Sequence, residues 1–367
     1  MTELDLLYTE IEDELRASVR SLLDARCDPD AVTRMYDADR SVVDGLWKAL
    51  SVEIGLGGLL VPEDLGGAGG SVREAAVVLE ELGRMVAPVP FLTSAVIATT
   101  VLLESVLPGP GTDLLGSIAS GEQTAALAVT WSAAADSVIA SVSATEGRLT
   151  GTITSVAGAL EADVLLVPAS TADGIALYAV SSAEVSLTPV VSLDMTRQLA
   201  HVAVDGETGT LVNADAAAAI RRALEVGAAL LASEQLGLSR WCLEATVDYV
   251  KERRQFGRVV GGFQALKHRL ADLYTAVESA AAAARYAAAT VAADDPDASV
   301  AASVAQAFCG EVAVTAAEEA VQMHAGIGMT WEHPTHLYLK RAKADQIALG
   351  TSGRHRARLA ELVNLPR

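Results

Sequence analysis

The sequence predicts an α+β multidomain chain: an N-terminal helical domain (1–120), a middle antiparallel β-domain (121–212) and a C-terminal four-helix bundle (213–367). Three observations predict it. Apolar residues recur at helical spacing in the first third, short β-rich runs separated by Gly, Ser, Asp and Pro fill the middle, and helical, alanine-rich patterns return to the end.

At the start, Leu7, Ile11, Leu15, Val19 and Leu22 keep a period near 3.6, and Ser41 is placed to cap a helix running through Trp47. The glycines and Pro62 between Gly55 and Gly67 break the pattern, and Ser71 opens the next helix, to about Met85. The strand candidates are Ala125–Thr130, Ser137–Val142, Arg148–Ile153, Asp163–Val167, Ile175–Val180 and Leu199–Val204. Short strands at even spacing suggest a small antiparallel barrel or sandwich. Later helices are expected over 214–252, 264–292, 299–324, 335–347 and 352–363, with Asp294–Asp297 punctuating the second and third.

Hydrophobic residues make up 51% and charged residues 20% of the 367, enough apolar side chain for a large interior. Small alanines at helical spacing let helices approach closely. A net charge of −20 argues against nucleic acid, whose phosphates need a positive surface. Against that background residues 251–269 carry six Lys and Arg and oppose them early only with Glu252; the segment is either a solvated helix end or a binding patch. No apolar run is expected to reach the roughly 20 residues of a membrane span. Cys27, Cys242 and Cys309 lie far apart without metal spacing and read as buried thiols, so a soluble, cytoplasmic protein is expected.

Tyr249-Val250-Lys251-Glu252-Arg253-Arg254-Gln255-Phe256-Gly257, continued by Phe263-Gln264-Ala265-Leu266-Lys267, resembles the most recognisable segment of the acyl-CoA dehydrogenase family. Gln322-Met323-His324-Ala325-Gly326-Ile327-Gly328 resembles that family's second flavin-contacting turn, and Gly55–Gly67 with Glu80-Glu81-Leu82-Gly83-Arg84 resembles its N-terminal loop and helix. The resemblance implies FAD as cofactor, an acyl-CoA substrate, and a flavin shared across a dimer. Arg253, Gln255, Phe256 and Gln264, with Gln322, Ala325 and Gly326, are then expected to reach the ADP half held by a neighbouring subunit, with Thr351 as a further contact. The chemistry suits them: Arg253 offers a permanently charged donor fork for pyrophosphate, the glutamines offer amide donors and acceptors, Phe256 can cover an apolar part of the cofactor, and small residues let the backbone approach.

Elsewhere the chain departs from the family. The Thr-Glu-Pro-x-x-Gly-Ser-Asp stretch that binds the flavin ring corresponds to Val129–Ser137, where only Thr130 and Asp136-Ser137 survive and Trp131 replaces a small acid. The later Trp-Ile-Thr-Asn-like stretch corresponds to Ser155–Ala159, without aromatic or threonine. Removing a thioester's α-proton needs a carboxylate within reach, yet Leu349 stands at the usual glutamate position and Gly227 at the alternative one. Glu225, two residues away and about 200° around a helix, should face elsewhere and is a weak candidate for the base. Asp345 and Glu332 are the other nearby acids; Glu332 is expected to cap a helix or pair with a histidine. His333 and His336 lack a third ligand at metal spacing, so no metal site is expected.

Retained trans-acting flavin residues beside a lost base resemble the shorter, non-catalytic subunit of actinobacterial heterotetrameric acyl-CoA dehydrogenases that act on steroid side-chain CoA thioesters. The Trp331–Arg341 segment resembles that group too. The resemblance implies an α2β2 assembly with a catalytic homologue. Two alternatives stay open: a self-sufficient homo-oligomeric flavoenzyme with a displaced base, and a non-enzymatic scaffold.

Overall fold

The computed structural model describes residues 4–105, 109–137 and 140–365. Helix α1 (Glu10–Arg26) starts from a capping box between Thr9 and Glu12. Helices α2 (Pro29–Thr33) and α3 (Ser41–Lys48) follow. Ser41 is the first helical residue rather than the cap, because the Asp39 carboxylate, two residues upstream, takes the Ser41 N–H at 3.0 Å. The expected break at 55–67 is built from two 3₁₀ turns, Leu56–Gly58 and Glu63–Leu65. Ser71 and Glu74 then box the start of α4 (Val72–Arg84). A buried π-helical stretch, Phe91–Ala98, leads into α5 (Thr99–Leu103), and α6 (Pro110–Ala119) follows.

Helix α4 is pressed backbone to backbone on α7 (Ala217–Glu252). A Cβ on Gly83 would lie 2.1 Å from the Glu234 carbonyl oxygen, and one on Gly237 would lie 2.0 Å from that of Glu80, so only glycine fits either side of the crossing. Ion pairs flank it. Arg16 and Arg240 reach Glu80 at 2.8 and 2.7 Å, and Arg16 and Arg20 reach Glu81 at 3.0 and 2.8 Å. The Glu80-Glu81 pair therefore ties α1 and α7 to α4.

The middle region holds β1 (Ala125–Leu127), β2 (Val142–Thr145), β3 (Arg148–Ala157), β4 (Val164–Thr171), β5 (Gly174–Ser181), β6 (Ser186–Val190), β7 (Leu199–Thr208) and β8 (Thr210–Asn213). They form one sheet in the order β6-β7-β3-β2-β4-β5-β8, with β1 also against β4. The expectation of a wholly antiparallel barrel or sandwich needs one correction: β1 and β2 both run parallel to β4. They occupy successive stretches of one β4 edge, pairing at 164–166 and 169–170, and the chain between them leaves the sheet and rejoins it in the same direction. Val138 and Ile139, inside the expected strand Ser137–Val142, lie outside the described residues, and the strand starts at Val142.

In the last part α7 is joined by α8 (Gln264–Ala292), α9 (Ala298–His324), α10 (Thr335–Ile347) and α11 (Ser352–Leu362). Ala280, Ala284 and Ala287 of α8 and Ala305, Ala313 and Ala316 of α9 are fully buried, which is how alanine brings these helices together. By length and composition the stretch Ala298–Met329 could cross a membrane, contrary to the expectation that no run reaches that size; 72% of its apolar window is buried inside the protein. Cys27, Cys242 and Cys309 are buried free thiols, and burial pushes Cys27 and Cys309 up to about 12.

Candidate functional site

Helix α7 ends at Arg253, whose backbone turns extended and whose N–H still donates to the Tyr249 carbonyl. A hairpin follows, β9 (Arg254–Gln255) against β10 (Arg258–Val259), with Phe256 and Gly257 at its tip, both at positive φ. Glycine and asparagine are the usual residues of such a turn; here Phe256 holds φ +53° and leaves its ring 88% exposed. The Phe256 and Phe263 rings meet edge-on at 6.1 Å, and the Arg258 guanidinium lies 3.9 Å over Phe263. Gln264, exposed, is the first residue of α8 beside them. Within this basic segment Lys251 pairs with Asp248 and Arg269 with Glu319, while Arg253, Arg254 and Arg258 have no carboxylate partner among the described residues. In a chain of net charge −20 these three guanidiniums form an open, anion-seeking face.

Gln322, Ala325 and Gly326 are exposed where α9 ends. Tyr249 stacks on His324 at 4.4 Å, and its hydroxyl donates to the His324 carbonyl at 3.4 Å, so the hairpin and this turn start from one end of the bundle. Sequence reasoning gave neither ring a role; an aromatic one helical turn before Arg253 was the available signal. Ala325 sits at φ +55° and ψ −134°, a conformation glycine adopts far more readily. Thr351 is placed elsewhere. Its hydroxyl caps α11, and a Cβ on the preceding Gly350 would stand 3.0 Å from that of Ala134.

The segments matched to the ring-binding half are closed on one another. Trp131 N–H donates to the Ser155 carbonyl at 2.9 Å, and Leu349 N–H donates to the Trp131 carbonyl at 2.8 Å. Leu349 is 1% exposed at φ +52°, and a Cβ on Gly227 would lie 2.9 Å from Ile97 Cγ1 and 3.2 Å from Leu349 Cδ1. Between Thr93, Ile97, Val129, Trp131, Leu224 and Leu349 about 10 Å³ is left, the limit for a single water. An isoalloxazine does not fit there, whereas the open guanidinium face suits a pyrophosphate.

Among the acids, Glu225 accepts from Ser299 Oγ at 2.7 Å and lies 3.6 Å from Arg222. It faces a small cleft beside Asp136, Ser303 and Arg354, not the position of Gly227. Glu332 is exposed and pairs with neither histidine, contrary to expectation, because His333 turns to Thr335 Oγ1 at 3.2 Å and packs on His324. Asp345 belongs to a buried network absent from the sequence reading. Arg341 donates to Asp194 at 2.7 Å, Glu234 at 2.6 Å and Thr196 at 2.6 Å, while Arg197 donates to Glu234 and to Asp345 at 2.5 Å. Burial pushes the Asp345 carboxyl upward, and the Arg197 guanidinium at 2.5 Å pulls it back down. Asp345 is fully buried on α10. Among the described residues no group of three His, Cys, Asp or Glu is arranged to hold a metal.

Comparison with known proteins adds a family to this geometry. The family descriptions "Acyl-CoA dehydrogenase, N-terminal domain" and "Acyl-CoA dehydrogenase, C-terminal domain" match residues 9–113 and 216–363. The acyl-CoA dehydrogenase IpdE2 of Mycolicibacterium smegmatis is 35% identical over 342 residues, 93% of this chain and 95% of the relative. A chain of the ChsE4-ChsE5 complex from Mycobacterium tuberculosis superposes with a TM-score of 0.87 at 29% identity, over 99% of this chain and 100% of that one. A chain of the Tcur3481-Tcur3483 steroid ACAD gives 0.85 at 28%, over 97% and 98%.

Proposed function

Because the chain belongs to the acyl-CoA dehydrogenase family, we propose that it is the non-catalytic subunit of a heteromeric member, completing a flavin site whose chemistry is done by a partner. The observation that carries this reading is the closed ring position. At the segments matched by resemblance to ring binding and to the base, Leu349, Trp131 and Ile97 pack together and leave about 10 Å³, while Arg253, Arg254 and Arg258 stay open to an anion. FAD, when bound, supplies the hydride acceptor for the α,β-dehydrogenation of an acyl-CoA thioester. This chain's own residues bind and orient: Arg253 holds the pyrophosphate, Gln255, Gln264 and Gln322 hydrogen-bond the ADP half, Phe256 covers it, and Ala325-Gly326 bring the backbone close.

The solved relatives whose names pair two proteins support a partner of the same fold, and we assign an α2β2 assembly. The word steroid in one of those names supports a steroid side-chain CoA as substrate. Glu225, bound to Ser299 and turned away from Gly227, does not favour a self-sufficient enzyme. To separate a flavin-completing subunit from a bare scaffold, Arg253→Ala is made in the complex with the homologue encoded beside it. Loss of a charged hydrogen-bond donor, about 1.5–3 kcal/mol, should weaken FAD 10- to 150-fold in an equilibrium titration while the complex stays assembled. Unchanged FAD affinity would leave the scaffold reading standing instead.

A further inference from the structure

Beyond the His324 turn the same end of the molecule carries an open groove of about 580 Å³ with a mainly apolar lining. Leu193, from the loop between β6 and β7, lines it together with Val321 of α9 and with Met329, Trp331 and Leu339. These side chains are not tucked away: Met329 is 76% exposed, Trp331 61% and Leu193 59%. Apolar exposure drawn from two separate segments marks a binding surface rather than scattered surface residues. The walls are held rigid. The Tyr36 hydroxyl donates to the Leu193 carbonyl at 3.3 Å, and Tyr36 and His336 meet Trp331 edge-on at 5.4 and 4.6 Å.

One charge in the groove lacks its counterion. Lys340 Nζ lies 4.0 Å from the centroids of both Tyr36 and Trp331 and 3.3 Å from His336 Nδ1, and it pairs with no carboxylate among the described residues. The neighbouring Lys343 is paired with Glu318 at 2.8 Å. An occupant must therefore bring apolar side chains and a carboxylate. The groove is also continuous with the flavin-completing face, since His324, stacked on Tyr249, packs in turn on His333 at 4.4 Å, and His333 leads into α10.

Resting on the subunit reading above, we infer that this groove is the docking seat for the partner subunit, taking an apolar segment of that acyl-CoA dehydrogenase-fold chain whose Asp or Glu pairs with Lys340. Trp331 and Met329 are its anchors, of the residue types that interface centres favour. The seat would set which homologue is accepted, because a partner lacking the carboxylate leaves a desolvated ammonium unpaired.

The test measures the dissociation constant of the complex with the co-encoded homologue by sedimentation velocity, for wild type, Trp331→Ala, Met329→Ser and Lys340→Glu. Trp331→Ala should weaken assembly about 30-fold, the effect of a central anchor, Lys340→Glu should weaken it by a similar factor, and FAD per assembled complex should stay unchanged. Met329→Ser, at the most exposed of these positions, serves if another variant fails to fold, as the unfolding midpoint of the free chain reports. Wild-type affinity in all folded variants would overturn the seat and leave the flavin reading intact. Dissociation of a self-dimer of this chain would give the groove to a second copy and overturn the inference. Absence of any wild-type complex would sink the subunit reading and the seat together.

Discussion

Replacing Arg341 by Ala is expected to lower the unfolding free energy of the chain by about 3–5 kcal/mol, the cost of removing one partner from a buried ion network. The side chain is among the largest fully buried ones and answers two carboxylates, Asp194 at 2.7 Å and Glu234 at 2.6 Å. Burial opposes its charge, yet those carboxylates hold it protonated well above the ordinary arginine range. Without it Asp194 loses its guanidinium, and Glu234 and Asp345 share Arg197 alone. The network joins the loop after β6 to α7 and α10, so the damage should reach the seating of the sheet on the bundle. Denaturant titration of the purified chain reads the result. A loss under about 1 kcal/mol, typical of an exposed pair, would mean that water reaches these groups.

Leu349→Glu places a carboxylate at the position the sequence resemblance matches to the base, and it is expected to produce an unstable chain without dehydrogenase activity. Leu349 is 1% exposed among Ile97, Trp131 and Leu224, with about 10 Å³ free. Replacing it forfeits the burial of a leucine side chain and places a carboxylate where no donor waits, together at least about 3 kcal/mol. Turnover of an acyl-CoA by this variant alone, with stability kept, would show that the closed crevice opens for a ring and that only the base was missing.

Much of the fold was legible in the sequence. The helix expected over 264–292 is Gln264–Ala292, starting after extended Phe263 and stopping just before the Asp294–Asp297 run. Strand β6 escaped because Ser186–Val190 contains Pro189 and alternates no buried face, as suits a sheet edge. The parallel pairing of β1 and β2 depends on where an excursion rejoins the sheet, which local pattern does not encode. At the candidate site the residue types were legible, since Arg253, Gln255 and Phe256 sit in one short run. The contact that brings their helix end to the turn after Gln322 was not, because the Tyr249–His324 stack spans 75 residues. The buried network was least visible: its members are spread from Asp194 to Asp345, and a charge on a helix normally reads as solvated. Glu234 offered one clue, a carboxylate inside the small and apolar run from Val226 to Gly237.

The central claim is that this chain holds a flavin whose ring and base lie in another chain. Its most direct measurement is flavin absorbance and acyl-CoA dehydrogenation for the chain purified alone and together with the homologue encoded beside it. Neither bound FAD nor turnover is expected from the chain alone, and both are expected from the complex; stoichiometric FAD with turnover from the chain alone would overturn the shared-flavin reading.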